Sequence, residues 1–254
     1  MIPDLKNKVV LITGSSTGIG AEAAKAFGLE GAKVAVHYNS SKPQADEVVA
    51  AIKGKGGEAF AIAGDLSKNG VAENVVKQCV DHYGRIDVLI NNAGSMVRRC
   101  NVADSDDTLL DDLFHLNIRS VVAASRAAIA HMRKQGGGNI INTTSVAART
   151  GGGPSAVLYA STKGYVSTFT HGLAKELVKD NIRVNAVAPG VILTPFHERY
   201  STQAQLDMMK ATIPMGRLAE ANECNGAYLY LASDALSGYV TGQILEVNGG
   251  QLMP

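Results

Sequence analysis

The sequence predicts an α/β fold: one doubly wound domain with a parallel seven-stranded sheet and helices on both faces. Three observations predict it. Strand-like and helix-like segments alternate along the chain, the pattern left by βαβ units. The strand-like segments are continuous apolar runs, as expected of strands buried on both faces. The 254 residues contain no repeat, low-complexity tract or linker, so a single domain over 1–254 accounts for them.

Each element follows in order. Residues 8–13 are a β-branched apolar run, and a glycine-rich turn joins them to an alanine-rich helix over 21–29. The pattern then predicts a strand at 33–38, a helix at 44–53 and a strand at 59–63 that ends at Gly64-Asp65. A helix over 71–82 precedes a strand at 87–90, which ends in Asn91-Asn92-Ala93-Gly94. One long helix is expected over 106–133, then a strand at 138–144 flanked by two short glycine turns. A helix over 157–179 leads to a strand at 182–187 that closes at Pro189-Gly190. The last elements are a helix over 219–232 and a strand at 243–247. Segment 194–217 breaks this rhythm. It carries Phe196, Tyr200, Met208, Met209, Ile213 and Met215. A connection this long is expected to be a substrate-binding lid, or else a surface helical insertion whose methionines pack on the body.

Composition excludes several classes of function. Hydrophobic residues make up 46% and charged residues 19%, as in ordinary soluble domains. A net charge of +1 draws neither nucleic acid nor an anionic membrane. The opening apolar stretch is too short for a signal segment, so none is expected, and no apolar run approaches the roughly 18 residues of a spanning helix. A cytoplasmic protein is expected. The three cysteines form no CxxC and the six histidines no HExxH, so neither a disulfide framework nor a metal site is expected.

The first strand ends in Thr13-Gly14-Ser15-Ser16-Thr17-Gly18-Ile19-Gly20 and opens directly into a helix. Gly14 permits a tight turn, Gly18 removes a Cβ where backbone approaches a pyrophosphate, and Gly20 lets the helix pack close to the sheet. The helix start offers free N–H groups and a positive dipole end to phosphates. The spacing is GxxxGxG rather than GxGxxG.

Tyr159 and Lys163 lie four residues apart on a predicted helix. Four residues advance about 400°, so both side chains share one face. A free tyrosine titrates near ~10, too high for a base at neutral pH. A nearby ammonium favours the phenolate and brings that value down. Ser145 ends the preceding strand, on the side where doubly wound folds bind ligands, and can hydrogen-bond a substrate oxygen. Asn117 lies in an apolar stretch with Phe114, Leu116, Ile118 and Val121, and a buried amide needs partners.

With these motifs in their observed order, the chain resembles the short-chain dehydrogenase/reductase family in its single-domain, Rossmann-fold branch, and 3-oxoacyl-[acyl-carrier-protein] reductase-like members in particular. The resemblance runs from Lys8 to Gly250 and includes the closing Val247-Asn248-Gly249-Gly250. It implies a catalytic set of Asn117, Ser145, Tyr159 and Lys163. Tyr159 would be the proton donor or acceptor, and Lys163 would lower its pKa and hold the nicotinamide ribose. Ser145 would bind the substrate oxygen, and Asn117 a water in a proton relay. Asp65, with Leu66, would contact the adenine; Asn92, Ala93 and Gly94 would line the adenosine side. Pro189, Gly190, Val191 and Ile192 would flank the carboxamide, with Thr194 reaching it or the phosphates. Two departures stand out. Gly151-Gly152-Gly153-Pro154 lengthens the path from Ser145 to Tyr159, and Asn248 stands where an Asp is common.

The second strand ends His37-Tyr38-Asn39-Ser40-Ser41-Lys42. No carboxylate is present to bind a ribose 2′-OH or repel a 2′-phosphate, and Lys42 adds positive charge. This favours NADP(H), with NAD(H) the alternative, although Thr17 stands where many NADP-users of the family carry Arg or Lys. The expected function is a hydride transfer between a nicotinamide and a carbonyl or secondary-alcohol carbon of a small molecule. The alternatives are a nucleotide-binding regulator or scaffold without turnover, and epimerase or dehydratase chemistry. The second is the less expected, since such enzymes need an extra carboxyl-terminal substrate domain and a single domain over 1–254 is expected here. Arg98 and Arg99 either attract an anionic substrate or are solvated surface. The resemblance also implies a homotetramer, or else a homodimer, packed through the 106–133 and 157–179 helices and the carboxyl-terminal segment.

Overall fold

The computed structural model describes residues 2–253. The seven main strands are β1 (Val9–Ile12), β2 (Lys33–Tyr38), β3 (Glu58–Ala63), β4 (Val88–Asn91), β5 (Gly138–Thr143), β6 (Ile182–Pro189) and β9 (Ile244–Val247). All neighbours pair in parallel, in the order β3-β2-β1-β4-β5-β6-β9. Two further short strands, β7 (Ile192–Leu193) and β8 (Ala219–Glu220), pair with each other outside the sheet.

Side chains alternate across a strand, and here both sides are apolar. Val10 and Ile12 of β1 join Val34 and Val36 of β2 on one face. They are covered by α1 (Gly18–Leu29), α2 (Lys42–Lys53) and α10 (Asn225–Ala232). Val9 and Leu11 face the other way, under α3 (Val71–Tyr83), α5 (Ser120–Gln135) and α7 (Val157–Leu177). Two core layers on one sheet are what continuous apolar strands require, and the expected fold class stands.

The remaining helices are α4 (Asp107–Phe114), α6 (Ala147–Thr150), α8 (Pro195–Tyr200), α9 (Gln203–Ala211) and α11 (Asp234–Ser237). Two expected elements are divided. The single helix expected over 106–133 is α4 and α5 joined by a π-helical turn, His115–Arg119. The expected helix over 219–232 begins as β8 and a 3-10 turn before α10. Among the described residues no helix is long and apolar enough to cross a membrane.

Strand order reverses where β1 lies between β2 and β4. The loops leaving the carboxyl ends of those strands diverge there and open a crevice. A buried polar network keeps the floor of that crevice in register. Asn91 of β4 donates to Asn142 of β5 at 2.9 Å and to Ser125 of α5 at 3.0 Å. Asn142 in turn donates to Thr170 of α7 at 2.9 Å.

Candidate active site

The glycine-rich turn follows β1 at this crevice. Gly14 and Gly18 have φ of +64° and +58°, a region costly for residues with a Cβ. A Cβ on Gly20 would stand 2.5 Å from both Asn92 Nδ2 and the Gly14 carbonyl, so only glycine lets α1 approach the sheet this closely. Thr17, at the N-cap of α1, makes no side-chain cap, and the first turn holds no acidic residue. Its N–H groups and dipole are therefore free for an anion. Ser16 and Thr17 are half-exposed at this opening, while Ile19 packs inward on the core. Thr194 reaches the same turn: a Cβ on Gly18 would lie 3.3 Å from its side chain. These residues fit the pyrophosphate of a dinucleotide.

Several residues expected at the cofactor use their side chains to build the cleft. Asn92 Nδ2 donates to the Thr13 and Gly14 carbonyls at 2.9 and 3.0 Å. The amides of Asn92 and Ala93 both donate to Thr13 Oγ1 at 3.0 Å. Leu66, Val191 and Ile192 bury their side chains, so only their backbone can face a cofactor. Gly190 abuts Asn248, whose Cα would lie 2.8 Å from an added Cβ, and the Pro189 carbonyl accepts from the Val146 amide at 2.9 Å. Asp65 is half-exposed, and the Ser67 hydroxyl and amide hold its carboxyl below the usual range. Tyr38 packs partly on the core, while Asn39 and Ser40 are exposed. Lys42 stands 2.5 Å from Asp46 one helical turn on, so its charge is shared.

His37 is a functional residue that the sequence reading missed. Gly14 N–H donates to its Nδ1 at 2.9 Å, and its Nε2 meets the Gly64 carbonyl at 2.9 Å. It ties the phosphate turn to the end of β3 beside Asp65. Burial pulls its pKa down to about 4. The available signal was a polar residue in a buried strand, which must find partners.

The catalytic candidates converge at the end of β5. Lys163 is buried, and its Nζ donates to the Thr143 carbonyl at 2.8 Å. Thr144 Oγ1 donates to the Lys163 carbonyl at 2.9 Å, so β5 grips this turn of α7 at two points. Lys163 Nζ is 5.9 Å from the Tyr159 ring centroid, on the same helix face. Desolvation by the protein packed around it pushes Tyr159 up to about 12, and the Ser145 hydroxyl beside it pulls the other way. Burial also draws Lys163 down to about 8. Desolvation thus outweighs the expected depression of Tyr159 by Lys163, whose Nζ points at Thr143. Ser145 Oγ accepts from the Ala147 amide at 3.1 Å, which fixes it at the start of α6.

Asn117 is buried in the π-helical turn. Its Nδ2 donates to the Ser95 carbonyl at 2.8 Å and Thr162 Oγ1 at 3.1 Å, and its Oδ1 accepts from the Ser95 amide at 2.9 Å. The side chain therefore fastens the loop after β4 to α7. A Cβ on Gly94 would lie 3.2 Å from both Asn117 Oδ1 and Lys163 Nζ, so that loop lies directly against the lysine.

Segment 194–217 folds over this group as α8 and α9. The Phe196 ring lies 5.6 Å from that of Tyr159 and 5.0 Å from that of Tyr200. Tyr200 Oη is 2.7 Å from Ser95 Oγ. Met208 and Met215 are exposed rather than packed on the body. The longer loop after Ser145 is taken up by α6 and the turn at Gly151.

Residues 14–251 match the family described as Enoyl-(Acyl carrier protein) reductase. The chain is 38% identical to the NADPH-dependent aldehyde reductase 1, chloroplastic, of Arabidopsis thaliana, over 98% of this chain and 88% of that one. It is 37% identical to the 3-oxoacyl-[acyl-carrier-protein] reductase of Synechocystis sp., over 98% of both. Among solved structures, the NADH-dependent reductase A1-R' complexed with NAD superposes with a TM-score of 0.89 at 37% identity, covering 100% of each chain.

Proposed function

Because the chain belongs to the short-chain dehydrogenase/reductase family and is thus an NAD(P)-dependent oxidoreductase, we propose that Tyr159 is the acid/base for hydride transfer between nicotinamide and a carbonyl or secondary-alcohol carbon. The observation that carries this reading is the grouping of Tyr159, Ser145 and Lys163 at the end of β5, beside the open start of α1. The bound nicotinamide supplies or accepts the hydride. Tyr159 gives its phenolic proton to the substrate oxygen during reduction and takes it back during oxidation. With its pKa near 12, the phenol is protonated at neutral pH, the form that reduction needs. Ser145 hydrogen-bonds the same oxygen and steadies the charge that develops on it. Lys163, held by Thr143, hydrogen-bonds the ribose. Asn117 positions Gly94 and Ser95 against it. Phe196 and Tyr200 make 194–217 the substrate lid.

The Tyr159→Phe variant tests this assignment. Turnover falls by about 10²–10⁴-fold, while nicotinamide binding, followed by cofactor fluorescence, stays within a few-fold. Retained turnover removes Tyr159 from the role.

For the cofactor we propose a preference for NADP(H). No carboxylate stands at positions 38–42, and exposed Asn39 and Ser40 can donate to a 2′-phosphate. The Lys42–Asp46 pair limits the gain to a modest one. Titration with NADPH and NADH gives the tighter fluorescence response with NADPH; tighter NADH binding overturns the preference.

A further inference from the structure

The loop after β4 holds a cation that the chemistry above leaves unused. Arg98 is exposed and pairs with Asp106 at 2.7 Å. Arg99 is half-buried, and among the described residues no carboxylate pairs with it. Its Nε donates to the Tyr200 carbonyl. One terminal nitrogen donates to the Pro154 carbonyl at 2.9 Å and the other to Ser201 Oγ at 3.4 Å. A guanidinium carries five N–H donors. These contacts use three of them and leave one on each terminal nitrogen, a fork of the kind that matches a carboxylate. Neutral acceptors do not offset the cost of burying a cation, and burial draws Arg99 down with no anion to oppose it.

His197 of α8 stands beside it. Burial, and then the charge of Arg99, hold His197 down to about 4, so the ring is neutral at pH 7. Its Nδ1 lies 2.9 Å from Ser201 Oγ. Ser201 accepts from Arg99, and its own proton is free to go to that nitrogen. His197 then keeps its proton on Nε2, which has no protein partner among the described residues. The two groups lie where the loop after β4 meets α8. The His197 ring is 5.4 Å from Phe196, and Phe196 is 5.6 Å from Tyr159. Laid end to end the two steps come to at most about 11 Å, within reach of a chain of several carbons.

We propose that Arg99 and His197 form an anion-receiving subsite, so that the preferred substrate is a keto or hydroxy compound bearing a carboxylate up to several carbons from the reacting carbon. This rests on Tyr159 acting at that carbon. The test uses a series of keto acids with zero to seven carbons between carbonyl and carboxylate, each paired with its methyl ester, in steady-state reduction by the intact enzyme. The wild type prefers the acid of the best pair by about 10- to 100-fold in kcat/KM. Arg99→Gln collapses that ratio, chiefly through KM for the acid. Arg99→Lys, which keeps the charge but not the fork, retains part of it, and His197→Leu lowers it. If Arg99 only fastens the lid, Arg99→Gln slows acid and ester together and the ratio stays, which overturns the subsite. Equal use of acid and ester by the wild type overturns it alone. Turnover of neither overturns the subsite and leaves the acid/base reading to the Tyr159→Phe variant.

Discussion

A backbone N–H can only donate, so the Gly14 amide directed at His37 Nδ1 makes that nitrogen an acceptor. The proton of the neutral ring then sits on Nε2 and is donated to Gly64. Protonation would set two donors against each other. The folded-state pKa, about 4, lies below the ordinary 6.5. The unfolded chain therefore binds more protons in between, and stability rises with pH across that window. The contribution of His37 is complete above about 6.5 and lost as pH falls through about 4, on the order of 3 kcal/mol in all. Urea midpoints at pH 7 and pH 4 check this: the wild type loses more than His37→Asn. His37→Leu leaves the Gly14 donor buried without an acceptor, at about 1–3 kcal/mol. It weakens cofactor binding while kcat at saturation changes little. His37→Asn keeps an acceptor near the Nδ1 position and loses less. Equal cofactor affinity in the Leu variant would show that the turn holds its shape unaided. One histidine in an apolar strand signals that it needs partners but not which ones, because they lie on the glycine turn and beyond β3.

At the scale of elements, the π-helical turn and the lid matter most. The periodicity of 106–133 indicates a helix but does not locate one widened turn, because apolar periodicity is read over windows longer than that turn. That turn is where Asn117 sits with its three partners. Asn117→Leu strands the Ser95 amide and costs about 1–3 kcal/mol of stability, read by thermal unfolding, and it slows turnover of the folded enzyme. Helices α8 and α9 bury none of their residues fully; they are tied down by Phe196, Tyr200 and Arg99. Segments with so few buried contacts open first. In hydrogen exchange, amides of 195–211 exchange faster than those of α7 in the free protein and slow when cofactor and substrate bind together. Exchange as slow as that of α7 without ligand would rule out a lid.

For the whole molecule, the doubly wound sheet leaves apolar side chains uncovered on adjoining helices. Leu110 and Phe114 lie four residues apart on α4 at 44% and 49% exposure, and Val157 and Tyr165 of α7 are similarly open. These helices are the ones through which we propose that four copies pack, and Tyr239, Leu245 and Met253 extend the exposed apolar surface toward the carboxyl end. Light scattering at micromolar concentration gives the mass of a tetramer; a monomer there sinks the proposal.

The sequence by itself determined the parallel α/β class, the order of the strands' motifs, and the identity of Ser145, Tyr159 and Lys163 as a group. The class and the Tyr159–Lys163 pair follow from apolar periodicity, from glycines at one strand–helix junction and from a four-residue helical spacing, all of which are local; Ser145 joins that pair through its place at a strand end and through the family resemblance. Only the tertiary structure decided how the side chains are spent. Asn92 and His37 close on the glycine turn, Lys42 turns to Asp46, Lys163 points at Thr143, and Arg99 faces the lid. Most of these contacts depend on which strands and loops become neighbours: β1 lies between β2 and β4, and the loop after β4 meets a segment about a hundred residues later. Partners brought together by the winding of the sheet leave no periodic trace in the chain.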